Sequence, residues 1–186
     1  MIEKFSKNII NDLSKYNNYT KEQQEQMEYT LRVLSYEFIK GIIIIIIFSY
    51  FGYLKEVILT LGVMSITKPF IGGYHEDSQA KCFIATLILT LSIILLSSVN
   101  HLSFLSCLIL NLMSIFCVYN KAPVINDKMP LTRKELIRKN RVIGITNIVI
   151  LSVISLIMFK IKWFSQIIVW TSIIQTMFMF NKYRKI

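Results

Sequence analysis

Six apolar blocks, at about residues 41–54, 57–67, 83–99, 102–119, 142–159 and 163–180, decide what this chain can fold into. The last four are each 17 or 18 residues long, near the minimum for a helix that crosses a bilayer. Apolar residues fill 54% of the 186 positions, and here they are contiguous rather than alternating. A helix that is apolar all round calls for lipid contact. The expected fold is all-α: a polytopic integral membrane protein with about six hydrophobic helices. The first two blocks are short. At ~1.5 Å per residue, 41–54 reaches only about 21 Å of a ~30 Å hydrocarbon core. Either its helix begins near Tyr36 and carries Glu37 and Lys40 at its inner end, or this pair is a re-entrant hairpin.

Residues 1–36 are expected to form amphipathic helices ahead of the membrane domain at 37–186. Ile2, Phe5, Ile9, Leu13 and Tyr16 recur at helical spacing, Asn17 and Asn18 break the pattern, and Thr20 opens a capping box with Gln23. Met27, Leu31, Leu34 and Phe38 then continue one apolar face, suited to lying along the bilayer or against other helices. This polar, mixed-charge start does not resemble a signal peptide.

The net charge of +10 would suit nucleic acid, but the basic residues lie between the apolar blocks, so no nucleic-acid partner is expected. With six crossings and an inner N-terminus, the inner segments hold 18 of the 21 Lys and Arg: six in 1–40, two in 67–82, seven in 120–141 and three in 181–186. Lys55, Lys160 and Lys162 fall outside. The positive-inside rule therefore predicts cytoplasmic termini. The 120–141 segment is the most basic. Pro123 and Pro130 keep its first half non-helical, and a second capping box, Thr132 with Glu135, predicts a helix that runs into the fifth span. Arg133, Lys134, Arg138 and Lys139 on its first turns either anchor the chain at anionic headgroups or dock an acidic substrate.

Two histidines and three cysteines could carry chemistry. His101 sits in an outer turn and His75 in the inner segment, so a bilayer separates them. Cys107 and Cys117 fall within the fourth span and are expected to be small apolar fillers. Cys82 is different, because it follows Glu76, Asp77, Ser78, Gln79 and Lys81. Asp77 or Ser78 is a good N-cap, and the positive helix end with Lys81 would favour a negative charge on the Cys82 sulfur. His75 could take the thiol proton and return it to a leaving amine. On one straight helix the two would stand roughly 10 Å apart, so a catalytic pair requires a bend, which Gly72 and Gly73 permit. The residues alone leave two alternatives: a catalytic pair, or an interfacial His and Cys without chemistry. One local His and one local Cys are too few for a zinc site, and no metal or cofactor is expected.

The segment from Lys68 through Pro69, Phe70, Ile71, Gly72, Gly73, Tyr74 and His75 to Cys82 resembles the accessory gene regulator protein B (AgrB) family. These are membrane endopeptidases of bacterial peptide quorum sensing. Gly72, Gly73, His75 and Cys82 match the family's Gly-Gly-x-His stretch with a Cys seven residues on. The length, the polar N-terminal helices, the spans and a basic loop beginning Ala122-Pro123 match as well. The resemblance implies that Cys82 is the nucleophile and His75 the acid–base. It implies removal of the acidic C-terminal tail of an AgrD-like pro-peptide through an acyl-enzyme, with cyclisation to a (thio)lactone. It also implies a homodimer in the bacterial cytoplasmic membrane. Lys68 stands where the family usually has Arg, which loses a bidentate fork. Glu76 is more acidic than the pattern and could orient His75, with Asp77 and Ser78 as further supports.

Other functions compete with this one. A small transporter or a lipid-binding partner would need no chemistry, and a membrane acyltransferase could use Cys82. Ion-coupled transport favours ionisable residues inside the spans. The last four blocks carry only Ser, Thr, Asn111, Asn147, Gln166 and Gln175 as polar side chains of note.

Overall fold

The computed structural model describes residues 2–16, 19–73, 78–99, 101–124 and 134–180. They form α1 (Ile2–Tyr16), α2 (Lys21–Tyr50), α3 (Leu54–Ile71), α4 (Gln79–Val99), α5 (Phe104–Lys121), α6 (Lys134–Ile157) and α7 (Lys162–Met177). Short 3-10 turns follow α6 and α7 at Met158–Lys160 and Phe178–Phe180. The only β-type pairing among the described residues is a single bridge between Gly72 and Val124.

The chain divides into two compact units, 1–47 and 48–186. In the first, the Thr20 box forms: Gln23 N–H donates to Thr20 Oγ1 at 3.3 Å and Thr20 N–H to Gln23 Oε1 at 3.0 Å. α2 then runs unbroken from Lys21 to Tyr50, so position 36, the expected boundary, lies inside one helix. The break at Asn17 and Asn18 lies outside the described residues. Leu34 and Phe38 are exposed.

The second unit holds α3 to α7. Among the described residues, four helices are long and apolar enough to cross a membrane: Gln79–Val99, Phe104–Lys121, Lys134–Lys160 and Lys162–Phe180. This is a membrane protein, and the four correspond to the last four apolar blocks of the sequence. α3 matches α5 in length but carries Lys55, Glu56 and Lys68.

In this unit many large apolar side chains face outward, while polar ones share the interior with apolar ones. Ile84, Ile88, Leu91 and Leu95 form an outward stripe on α4, while Thr86, Thr90 and Ser97 point inward. Phe116 and Ile157 are 69% and 70% exposed. Without water there is no hydrophobic drive between helices, so small residues and interhelical hydrogen bonds hold the bundle. Asn111 Nδ2 donates to Ser155 Oγ at 2.8 Å, and Ser165 Oγ to the Ser155 carbonyl at 2.8 Å. α7 is the central helix, packing against α3, α4, α5 and α6. Its Ser165, Gln166, Thr171, Ser172, Gln175 and Thr176 are all buried.

At one end of this unit an apolar cluster of Ile71, Val118, Ala122, Ile148 and Met179 ties together the ends of α3 and α5, the middle of α6 and the 3-10 turn that follows α7. Gly144 is the close crossing point of α6 on α3: a Cβ there would meet Ile71 Cγ2 at 3.1 Å.

Candidate active site at one end of the helix bundle

The connection from α3 to α4 carries the motif. Lys68, Gly72, Gly73, Ser78 and Cys82 are described, whereas His75, Glu76 and Asp77 lie outside the described residues. α3 stops for a local reason. Pro69 removes one amide from its last turn. Gly72 then takes φ 72° and ψ −162°, a conformation that essentially only glycine adopts, and its N–H closes on the Lys68 carbonyl at 3.0 Å. Asn147 of α6 steadies this turn by donating Nδ2 to the Ile66 carbonyl at 2.7 Å.

The Gly-Gly pair is also where the basic segment joins. Val124 N–H donates to the Ile71 carbonyl at 2.9 Å, and Gly72 pairs with Val124. The approach is so close that a Cβ on Gly72 would lie 2.2 Å from the Val124 carbonyl oxygen. Gly73, at φ 136°, lies beside the Phe178 backbone that closes α7. The stretch Ala122–Val124 is thus fixed to the motif, with a cis peptide at Ala122–Pro123.

α4 begins at Gln79. Ser78 caps it, accepting the Lys81 N–H on Oγ at 3.2 Å, and the Ser78 carbonyl accepts the Cys82 N–H at 2.9 Å. Of the two caps the sequence offers, Ser78 makes this bond, and it places half-buried Cys82 fourth in the helix. The N–H groups of the first turn give this helix end a partial positive charge. α4 starts at Gln79 behind its Ser78 cap, so the helix that carries Cys82 does not extend back through Ser78.

The other cysteines and His101 are elsewhere. Cys107 is fully buried in α5, and Cys117 is half-buried in the same helix. His101 follows α4, which rises about 26 Å from Cys82 to its last residue, Val99. None of the three cysteines is in a disulfide. No group of His, Cys, Asp and Glu among the described residues could hold a metal ion.

The basic residues divide by role. Arg141 is tied to α5: its guanidinium donates to the Tyr119 carbonyl at 3.1 Å and lies 5.7 Å from the Tyr119 ring centroid. Lys134, Arg138 and Lys139 are exposed on the first turns of α6, and Arg138 and Lys139 flank a shallow depression with Glu135, Val142 and Ile143. Cations at a helix N-terminus oppose its dipole, so helix stability does not account for Lys134. Arg133 and the Thr132 cap lie outside the described residues.

Two features escaped sequence reasoning. Val124 carries no side-chain signal, because its part is played by the backbone. Gln175 is visible in the sequence only as one polar residue in a span. The structure places it beside Lys68, Gly72 and Gly73 around a small cavity of about 30 Å³.

An all-helical membrane protein with a glycine turn closing one helix, a half-buried cysteine in the capped first turn of the next and an exposed basic start to another is the class these features define. Its family follows from comparison with known proteins. The family model for accessory gene regulator B matches residues 6–179, and the chain belongs to the AgrB family. It is 53% identical to AgrB-like protein 1 of Clostridium perfringens (strain 13 / Type A), over 99% of this chain and 98% of that one. AgrB-like protein 2 of the same strain is 24% identical, and an AgrB-like protein of Clostridium perfringens (strain SM101 / Type A) is 26% identical; each match covers 86% of this chain and 79% of the relative. No solved structure matches the chain.

Proposed function

We propose that this chain is a membrane-embedded cysteine endopeptidase of peptide quorum sensing, which removes the C-terminal tail of an AgrD-like pro-peptide and promotes its cyclisation. The observation that carries the proposal is Cys82, half-buried in the capped first turn of α4, the helix that follows the Gly72–Gly73 turn in sequence, in a chain of the AgrB family. Cys82 attacks the scissile carbonyl, and His75 takes the thiol proton and passes it to the leaving amine. The amide C–N bond breaks, a thioester to Cys82 forms, and the tail departs. A thiol or hydroxyl within the bound peptide then attacks the thioester, which closes the (thio)lactone and returns the thiol of Cys82. With a thiol as the attacking group the step exchanges one thioester for another and is close to energy-neutral, whereas with a hydroxyl it runs downhill to an ester. Water must be kept out, or the acyl-enzyme hydrolyses; a site at the membrane boundary serves that end.

In this proposal both termini, the α3–α4 connection and the basic segment face the cytoplasm of a bacterial cell, and the protein acts as a homodimer in the bilayer. Residues 1–36 lie at the cytoplasmic surface. Lys68 assists binding, and Glu76, Asp77 and Ser78 support His75 and Cys82. The direct test is release of an acidic tail from a tagged AgrD-like pro-peptide by purified protein in lipid nanodiscs. Complete protein that binds the peptide but leaves the tail attached would refute the proposal.

Arg133, Lys134, Arg138 and Lys139 have the complementary charge for that tail. Exposed pairs are worth only ~0.2–1 kcal/mol each, so single neutral substitutions should raise KM less than about fivefold. Neutralising all four together should raise it by an order of magnitude or more at low salt and by less at high salt. The rate at saturating peptide should hold, because these residues need not touch the scissile bond. KM measured against ionic strength, in protein of verified orientation, decides this. An unchanged KM at every salt concentration would leave the segment as a membrane anchor.

A further inference from the structure

The last turn of α5 holds a carbonyl that its own helix cannot serve. The Val118 carbonyl accepts the Ala122 N–H at 2.9 Å, as helix geometry requires. The Tyr119 carbonyl would accept from the next amide, but that residue is Pro123, which has none. The amide after that, Val124 N–H, goes to the Ile71 carbonyl of α3. Arg141 of α6 supplies the missing donor. Its guanidinium donates to the Tyr119 carbonyl at 3.1 Å and lies 5.7 Å from the ring centroid of the same residue. A planar guanidinium is suited to make both contacts at once.

Arg141 sits where α6 leaves the bundle. Three residues further in, buried Gly144 crosses closely over Ile71 at the end of α3. In the other direction Lys134, Arg138 and Lys139 are exposed. At ~100° per residue, Lys134, Arg138 and Arg141 share about 60° of the helix circumference. Lys139 lies about 160° round from Arg141. The bond to Tyr119 therefore turns the face with Lys134 and Arg138 toward the end of α5. The Ala122–Val124 stretch continues from that end, and its backbone is bonded to the glycine turn. An acidic segment lying along this stretch has two cations turned toward it. We infer that Arg141 is a positioning residue, whose tie to Tyr119 aims Lys134 and Arg138 at the path of an acidic peptide tail over Ala122–Val124. Its own guanidinium is engaged with α5, so it acts through these neighbours. The inference rests on the acidic-tailed pro-peptide being the substrate.

The test reads binding without turnover. A fluorescein-labelled AgrD-like pro-peptide is titrated onto Cys82→Ala protein in nanodiscs, beside the same peptide with Gln in place of its acidic tail residues. Arg141→Met keeps an apolar stem and removes the donor. It should weaken affinity for the acidic peptide about 3- to 10-fold, within the worth of two exposed ion pairs. Affinity for the Gln-tailed peptide and the thermal unfolding midpoint should hold, which a merely structural role would not allow. With Cys82 intact, Arg141→Met should raise KM for the acidic peptide and leave kcat near its original value. A double-mutant cycle separates positioning from direct pairing with the tail. Arg138→Gln should weaken affinity by up to about fivefold in the parent and by less than about twofold beside Arg141→Met. Lys139→Gln, on the opposite face, should cost the same factor in both backgrounds. Unaltered affinity in Arg141→Met, equal losses for the two peptides, or losses from Arg141 and Arg138 that simply multiply would overturn the positioning role. A parent protein that binds the acidic peptide no tighter than the Gln-tailed one would overturn both this role and the substrate reading. Failure of intact protein to release a tail that it binds would count against the endopeptidase alone.

Discussion

Cys82→Ala is expected to lower tail release by at least about 10⁴-fold, because removing a nucleophile leaves only binding and electrostatic assistance. His75→Ala should come close to that loss. The other histidine, His101, follows the far end of α4, which lies about 26 Å from Cys82, and cannot substitute. Cys107→Ala and Cys117→Ala should keep tail release within a few fold of the parent, since both lie within α5 and neither belongs to the α3–α4 connection. Release of the tagged tail, measured with matched amounts of folded protein, checks all four. An active Cys82→Ala protein beside an inactive Cys117→Ala protein would move the nucleophile to α5.

The second large effect belongs to a residue with no side chain. Gly72→Ala would force φ 72° on a residue with a Cβ and drive that carbon to 2.2 Å from the Val124 carbonyl oxygen. Backbone strain of this type costs about 1–3 kcal/mol, and the contact cannot be relieved by a flexible side chain because the opposing atom is backbone. The Ala122–Val124 stretch should detach from the end of α3, with tail release falling at least about tenfold. Gly62→Ala is the matched control. It sits within the same helix, a Cβ there would meet nothing within 4 Å, and the change should be neutral or slightly stabilising. Activity and unfolding midpoints of the pair, side by side, give the answer. Equal behaviour of the two variants would mean that the Gly72–Val124 contact has no part in the site.

Much of this molecule was legible in its residues because lipid enforces a simple code. The blocks at 83–99, 102–119 and 163–180 became α4, α5 and α7 to within four residues at either end, and α6 covers most of the block at 142–159 but starts eight residues before it, at Lys134, since a span must satisfy its backbone within one helix. The Thr20–Gln23 box and the Ser78 cap could be read because capping depends on side chains a few residues apart. The continuity of α2 past Tyr36 was less legible. Its polar first half and apolar second half differ in composition, but helix geometry is indifferent to that change. Contacts distant in sequence had no local signal. The bond from Val124 to Ile71 uses backbone alone, and Gln175 meets Thr67 across 108 positions of chain. The division of labour among the basic residues was equally hidden: Arg141 resembles its neighbours in sequence, yet its guanidinium is bonded to the α5 backbone.

The central claim is that Cys82 becomes acylated by the pro-peptide. The most direct measurement is intact-mass and peptide-mapping analysis of the protein after brief incubation with an AgrD-like pro-peptide whose internal ring-closing residue is replaced by Ala, so that cyclisation cannot discharge the thioester. The account predicts an added mass equal to the peptide without its C-terminal tail, labile to hydroxylamine and mapped to Cys82. No adduct while the tail is nonetheless released, or an adduct mapped to Cys107 or Cys117, would contradict it.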